Sequence, residues 1–62
     1  MSANNYLEIH REDREFVISD LSADTCEGRE IKRTKSLKSA IKWAKEYQQD
    51  FPAEYGIHFG NL

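Results

Sequence analysis

Cys26, His10 and His58 are the side chains of this sequence best suited to covalent or metal chemistry. A cysteine beside a histidine can act as a thiolate nucleophile, and histidines with a thiolate can hold zinc. Neither reading has spacing behind it. The three residues are scattered, no two stand at the short separations of a ligand pair, and ordinary polar positions near strand ends account for both histidines. Gly28, Gly56 and Gly60 form no phosphate loop or dinucleotide fingerprint, and there is no Gly-x-Ser-x-Gly elbow. The acids Asp20, Asp24 and Glu27 lack the Asp-x-Asp-x-Asp-Gly order of a calcium loop and read as a solvated loop. No catalytic residue, metal or cofactor is expected, so the reading is not an enzyme.

Charge is where the sequence is organised. Seven of its nine Lys and Arg residues lie between Arg29 and Lys45, with one acid, Glu30, among them. The residues before Arg29 hold seven acids against Arg11 and Arg14, and those after Lys45 hold three acids and no base. A net charge of −2 thus hides a basic segment between acidic flanks. Such a split marks a docking surface without naming what docks. Within the segment, Lys38, Lys42 and Lys45 share one flank of a helical stretch, with Lys35 just before its first turn and Trp43 on the opposite flank. Two readings stand side by side. One is a solvated lysine face with Trp43 as peripheral core. The other is a binding surface made of Lys38, Lys42, Lys45 and Trp43, with Arg33 and Lys35 in support. Cations at a helix N-terminus oppose its dipole, at about 0.3–1 kcal/mol each where exposed. Lys35 and Lys38 sit at that end, where stability alone would place acids. A basic patch beside an aromatic also suits nucleic acid, but the acidic flanks repel phosphate, so nucleic acid ranks below protein. With eleven acids against nine bases, the surface is not a nucleic-acid mimic.

These side chains need a scaffold. Tyr6-Leu7-Glu8-Ile9-His10 alternates, with Leu7 and Ile9 on one face, and Glu15-Phe16-Val17-Ile18-Ser19 follows, with Phe16 and Ile18 on one face and Val17 on the other. Two period-2 runs joined by Arg11-Glu12-Asp13-Arg14 read as a β-hairpin whose turn type is open, since it lacks Gly or Asn. An irregular acidic stretch follows, closed by Gly28. Arg29-Glu30-Ile31-Lys32-Arg33 then forms a short, charged edge strand anchored only by Ile31. Ser36, or alternatively Thr34, caps a helix. Leu37, Ala40, Ile41, Ala44, Tyr47 and Phe51 fall on its core-facing stripe, and Pro52 ends it. Tyr55, Ile57 and Phe59 alternate in a last strand, which would bring His10 and His58 together if the first and last strands pair. The fold class is α+β: a small antiparallel sheet of three to four strands packed on one helix, in the order β-β-(β)-α-β. The expected core is Leu7, Ile9, Phe16, Ile18, Leu37, Ile41, Ala44, Phe51, Ile57 and Phe59.

At 62 residues the chain makes a single domain that buries roughly 60% of its unfolded surface. An apolar fraction of 39% with 32% charged residues is that of a folded domain, not a disordered tail. One cysteine excludes an internal disulfide framework, which points to a reducing cytoplasm. No apolar run approaches the ~18 residues of a membrane span, and Met1-Ser2-Ala3-Asn4-Asn5 has no signal-peptide character.

Two resemblances bear on function. The strand pair at 6–10 and 15–21, its charged turn, and Ser36-Leu37-Lys38-Ser39-Ala40-Ile41 together resemble the HicB-like antitoxin domain. There a loop and a short strand lead into a Ser/Thr-Leu-x-x-Ala-hydrophobic helix. Cys26-Glu27-Gly28 stands where that family has Pro-Gly-Cys, and its DNA-binding C-terminal region has no counterpart here. This resemblance implies an antitoxin or a nucleic-acid-binding regulator. In size, element order and lack of catalytic groups the chain also resembles very small phage-encoded inhibitors of bacterial enzymes. Anti-CRISPR proteins and a phage inhibitor of bacterial RNA polymerase are examples. That resemblance implies a phage or mobile-element protein that occludes a site on a bacterial protein. The expectation is therefore a binding module with a protein partner, no membrane association, and room for self-association as a homodimer.

Overall fold

The computed structural model describes residues 4–62. Residues 1–3, part of the N-terminus read above as lacking a signal peptide, lie outside them. Four strands and one helix follow in the order β1 (Asn5–Glu12), β2 (Glu15–Ser22), β3 (Gly28–Thr34), α1 (Leu37–Asp50) and β4 (Ile57–Phe59). The sheet order is β3-β2-β1-β4. The α+β class and the element order are as the sequence indicates, and the third strand forms.

Glu12 pairs with Glu15, so Asp13 and Arg14 alone make the turn between β1 and β2. Asp13 supplies the left-handed conformation, at φ 59°. Aspartate tolerates it better than most residues, which is why the turn closes without Gly or Asn. Ser36 caps α1 as its Oγ accepts from the Ser39 N–H at 3.3 Å. Thr34, the alternative cap, is used one step earlier: its Oγ1 donates to the Ser36 carbonyl at 2.7 Å and shapes the entry.

The sheet is mixed, not wholly antiparallel. β4 runs parallel to β1, with Leu7 opposite Ile57, Glu8 opposite His58 and Ile9 opposite Phe59. The cause is the route of the chain. β3 is one edge of the sheet, and α1 carries the chain across the layer to the other edge, where β4 enters in the direction of β1.

Leu7, Ile9 and Ile18 are fully buried on the helix side of the sheet, against Ala40 and Ala44. The two alanines let the helix approach closely, and Phe16, Ile31, Leu37, Ile41, Trp43, Tyr47, Ala53 and Ile57 pack around them half-buried. Two residues expected in the core are not there. Phe51 is 62% exposed and Phe59 53% exposed. Phe51 is the C-cap, at φ −131° and ψ 77°, because Pro52 forbids it a helical backbone. Its ring therefore leaves the core line. Phe59 lies on the three-residue edge strand β4, outside the area over β1, β2 and β3 that the helix covers.

Candidate interaction surfaces

The sequence grouped Arg33, Lys35, Lys38, Lys42, Trp43 and Lys45. The structure distributes them over three surfaces. Lys35, Lys38, Lys42 and Lys45 are exposed. At about 100° per residue, Lys38, Lys42 and Lys45 lie beyond Leu37 and Ile41, on the side of the helix away from Trp43. Trp43 itself is half-buried against the core.

Arg33 sits on the far face of the sheet, and a backbone irregularity explains why. Simple alternation would put Arg29, Ile31 and Arg33 on one face. β3 instead carries one extra residue against β2 between Ile18 and Ser19, so Lys32 pairs with Ile18 and Glu30 with Ser19. Such a bulge sets two consecutive residues against one. Ile31 and Lys32 both turn to the helix side, while Glu30 and Arg33 face the uncovered side. There the Arg33 guanidinium meets three carboxylates: Glu30 at 2.7 Å, Glu12 at 2.9 Å and Glu15 at 3.3 Å. Those bonds, Glu30 first, push Arg33 still further above its already high ordinary value. The Arg33 bond, helped by His10, holds the Glu12 carboxyl below its usual range. Arg33 is thus an internal neutraliser, not a free cation.

The sign of the linkage follows. A carboxylate with a lowered folded value adds stability above its unfolded value and loses that contribution as pH falls through the folded one. Exposed pairs contribute about 0.2–1 kcal/mol each. Arg33→Met should therefore lower stability modestly at neutral pH, and the gap to wild type should close as pH falls through the lowered Glu12 value. Denaturant titrations across pH check this. Coincident curves at pH 7 would show that the three contacts contribute nothing.

Trp43 belongs to a row. Its ring lies 5.1 Å from that of Tyr47, 21° from coplanar, and Tyr47 lies 5.0 Å from Phe51 at 33°. The three stand four residues apart on one helix flank, where such neighbours meet. The row forms one wall of a shallow groove of about 640 Å³, with Arg29, Glu30 and Ile31 of β3 as the other wall and Asp20 at one end. Sequence periodicity placed Tyr47 and Phe51 in the core stripe. The readable signal for a surface role was the four-residue spacing of three aromatics stopped directly by Pro52.

The histidines do not come together as a pair. β1–β4 pairing sets Glu8, not His10, opposite His58. His58 stacks on Tyr6 at 4.8 Å, and its Nε2 donates to the Tyr55 carbonyl at 2.9 Å. His10 lies between Glu8 and Glu12, at 3.3 and 3.4 Å. Cys26 is exposed and takes φ 58° in the loop between β2 and β3. Its thiol, beside the Tyr6 hydroxyl, pushes the phenol above its ordinary value. Among the described residues no group of three or more His, Cys, Asp or Glu is placed to share a metal ion, and no helix is long and apolar enough to cross a membrane. No family model, curated protein or solved structure matches this chain.

Proposed function

We propose that this chain is a non-enzymatic binding module whose Trp43–Tyr47–Phe51 row engages a protein, as an inhibitor or regulator of a bacterial target and of phage or mobile-element origin. One observation carries the reading. Phe51, 62% exposed, ends a stacked aromatic row that the fold leaves uncovered. Exposed aromatics of this kind are what interface hot spots are made from. A stacking platform for nucleic acid needs its rings and its cations on one surface. Here Lys38, Lys42 and Lys45 stand on the other flank, and Asp20 lies at one end of the groove. That separation favours a protein, with the lysine flank steering an acidic partner during encounter.

Capture from bacterial lysate followed by mass spectrometry tests the proposal, run beside Phe51→Ala. The expected result is a dominant protein retained by wild type. Its affinity should fall by roughly 2 kcal/mol or more in Trp43→Ala, as at hot spots. Affinity for duplex DNA, single-stranded DNA or RNA tighter than about micromolar at physiological salt, falling steeply with added salt, would overturn the proposal in favour of nucleic acid. The antitoxin reading draws on one observation of its own: β3 forms and leads directly into the Ser36-capped helix, the order that the HicB-like resemblance implies. A small toxin as the captured partner would select it.

A further inference from the structure

We propose that the hollow beneath the C-terminus of α1 receives an arginine side chain of the partner protein, its guanidinium held by aspartates and stacked on Phe51; this rests on the aromatic row being the partner surface. Asn5 shares the helix-side face of β1 with Leu7, and Ser22 and Asp20 are their partners across β2. Where the core stops, these polar side chains continue that face and line a hollow of about 670 Å³. Asp50, Phe51 and Pro52 border it from the end of the helix, and Asp24 from the loop after β2.

The charge of this hollow has one sign. Asp20, Asp24 and Asp50 line it, and no Lys, Arg or His does. None of the three has a cation within ion-pair distance among the described residues. The helix adds to the effect. Its last turn holds no base, so the negative end of its dipole lacks the cation that such ends favour. Asn5 completes the pattern. Its Nδ2 donates to Asp20 at 2.8 Å, which fixes the amide. Its Oδ1 is then buried with no donor among the described residues. The hollow is rich in acceptors and short of donors.

Two features select arginine. No three acids among the described residues are placed to share a metal ion, so the carboxylates are spread too widely for one small cation. A guanidinium presents five N–H donors in a plane and reaches several acceptors at once. Exposed Phe51 offers a ring at the rim of the same hollow, and a guanidinium stacks on an aromatic face. Lys38, Lys42 and Lys45 stand on the other flank of the helix, so they meet a different part of the partner. Steering and anchoring then use opposite charges.

Selection from a displayed library of short random peptides on the full chain tests this. The winning peptide is resynthesised and titrated against variants. The expected winners contain Arg. Replacing it with citrulline, which keeps the shape and removes the charge, should weaken binding more than about tenfold. Asp24→Asn combined with Asp50→Asn, both exposed positions, should weaken it about tenfold, as the loss of two charge pairs does. Glu46→Gln, the same charge change at an exposed acid outside the hollow, should leave it unaltered. Phe51→Ala should weaken it more than about tenfold. Winners that need Phe51 but lack Arg, or that bind the Asp24→Asn, Asp50→Asn protein as tightly as wild type, would overturn the arginine site while sparing the aromatic surface. An equal loss in Glu46→Gln would show attraction to net charge alone and overturn the site as well. Winners indifferent to Phe51→Ala would remove both readings, and no enrichment rejects the arginine occupant.

Discussion

Ile18→Ala should destabilise the domain by about 2–5 kcal/mol, the range for emptying a well-packed site. A chain of 62 residues has only roughly 3–9 kcal/mol in total, so the variant should be largely unfolded near physiological temperature. Ile18 is central in every direction. It lies on an inner strand, opposite Ile9 on one side and Lys32 on the other, and is fully buried in the cluster with Ala40 and Ala44. Those alanines have no side chain long enough to fill the space left behind. Ile41, on the same helix stripe, is only half-buried, and Ile41→Ala should cost about half as much or less. Urea denaturation followed by circular dichroism measures both. Equal losses would mean that the helix sits over the sheet differently from the arrangement described here.

The parts of this fold that were legible in advance are those governed by local chemistry. Leu7 and Ile9, then Phe16 and Ile18, declare two strands by alternation. Ser36 and Pro52 bracket a helix because one satisfies the first free N–H groups and the other forbids continuation. The direction of β4 was not legible. Three residues, Ile57, His58 and Phe59, alternate identically whether they run with β1 or against it. Only the helix's passage across the sheet decides, and that is a property of the whole layer.

The candidate site shows the same division. Trp43 was readable because a large aromatic lay off the main apolar stripe. Phe51 was misplaced for a physical reason: its spacing says core, but its position before Pro52 takes it out of the helix and exposes it. Arg33 was misplaced because alternation assumes one residue on β3 for each residue on β2. A single extra residue reverses the facing of everything beyond it. No side chain at Glu30, Ile31 or Lys32 announces that insertion. It follows from keeping Ile31 inside while letting Arg33 reach Glu12, Glu15 and Glu30. The basic segment that dominates the sequence is thereby divided: Arg33 neutralised on the far face, Arg29 at the groove, and lysines on the opposite flank of the helix.

Gly28→Ala should cost about 1–3 kcal/mol, the range for forcing an atom into a filled site, and should also disturb the groove. Gly28 opens β3 opposite Leu21. A Cβ there would run into the backbone oxygen of Asp20 and come within 2.8 Å of the Leu21 Cα. Both are main-chain atoms of an inner strand and cannot swing aside, so β3 itself must move. The movement would loosen the Ser22 N–H to Glu27 carbonyl bond, now 2.7 Å, that closes the loop. It would also displace Arg29, the next residue, at the groove lip. The other glycines provide the comparison. A Cβ at Gly56 meets nothing within 4 Å, but its φ of 75° penalises any side chain, so Gly56→Ala should cost about 1–2 kcal/mol. At Gly60 the nearest atoms, at 3.2–3.3 Å, belong to the Glu8 and His10 side chains, of which the Glu8 carboxylate can rotate away. The His10 Cβ cannot, so Gly60→Ala should cost about 0.5–1 kcal/mol, still less than Gly28→Ala. Thermal melts rank the three for stability, and hydrogen exchange on β3 separates them further. Only Gly28→Ala should raise exchange there well below its melting temperature. If Gly28→Ala melts with wild type and its β3 amides stay protected, β3 does not pack against β2 at this point, and the groove it helps to form has a different wall.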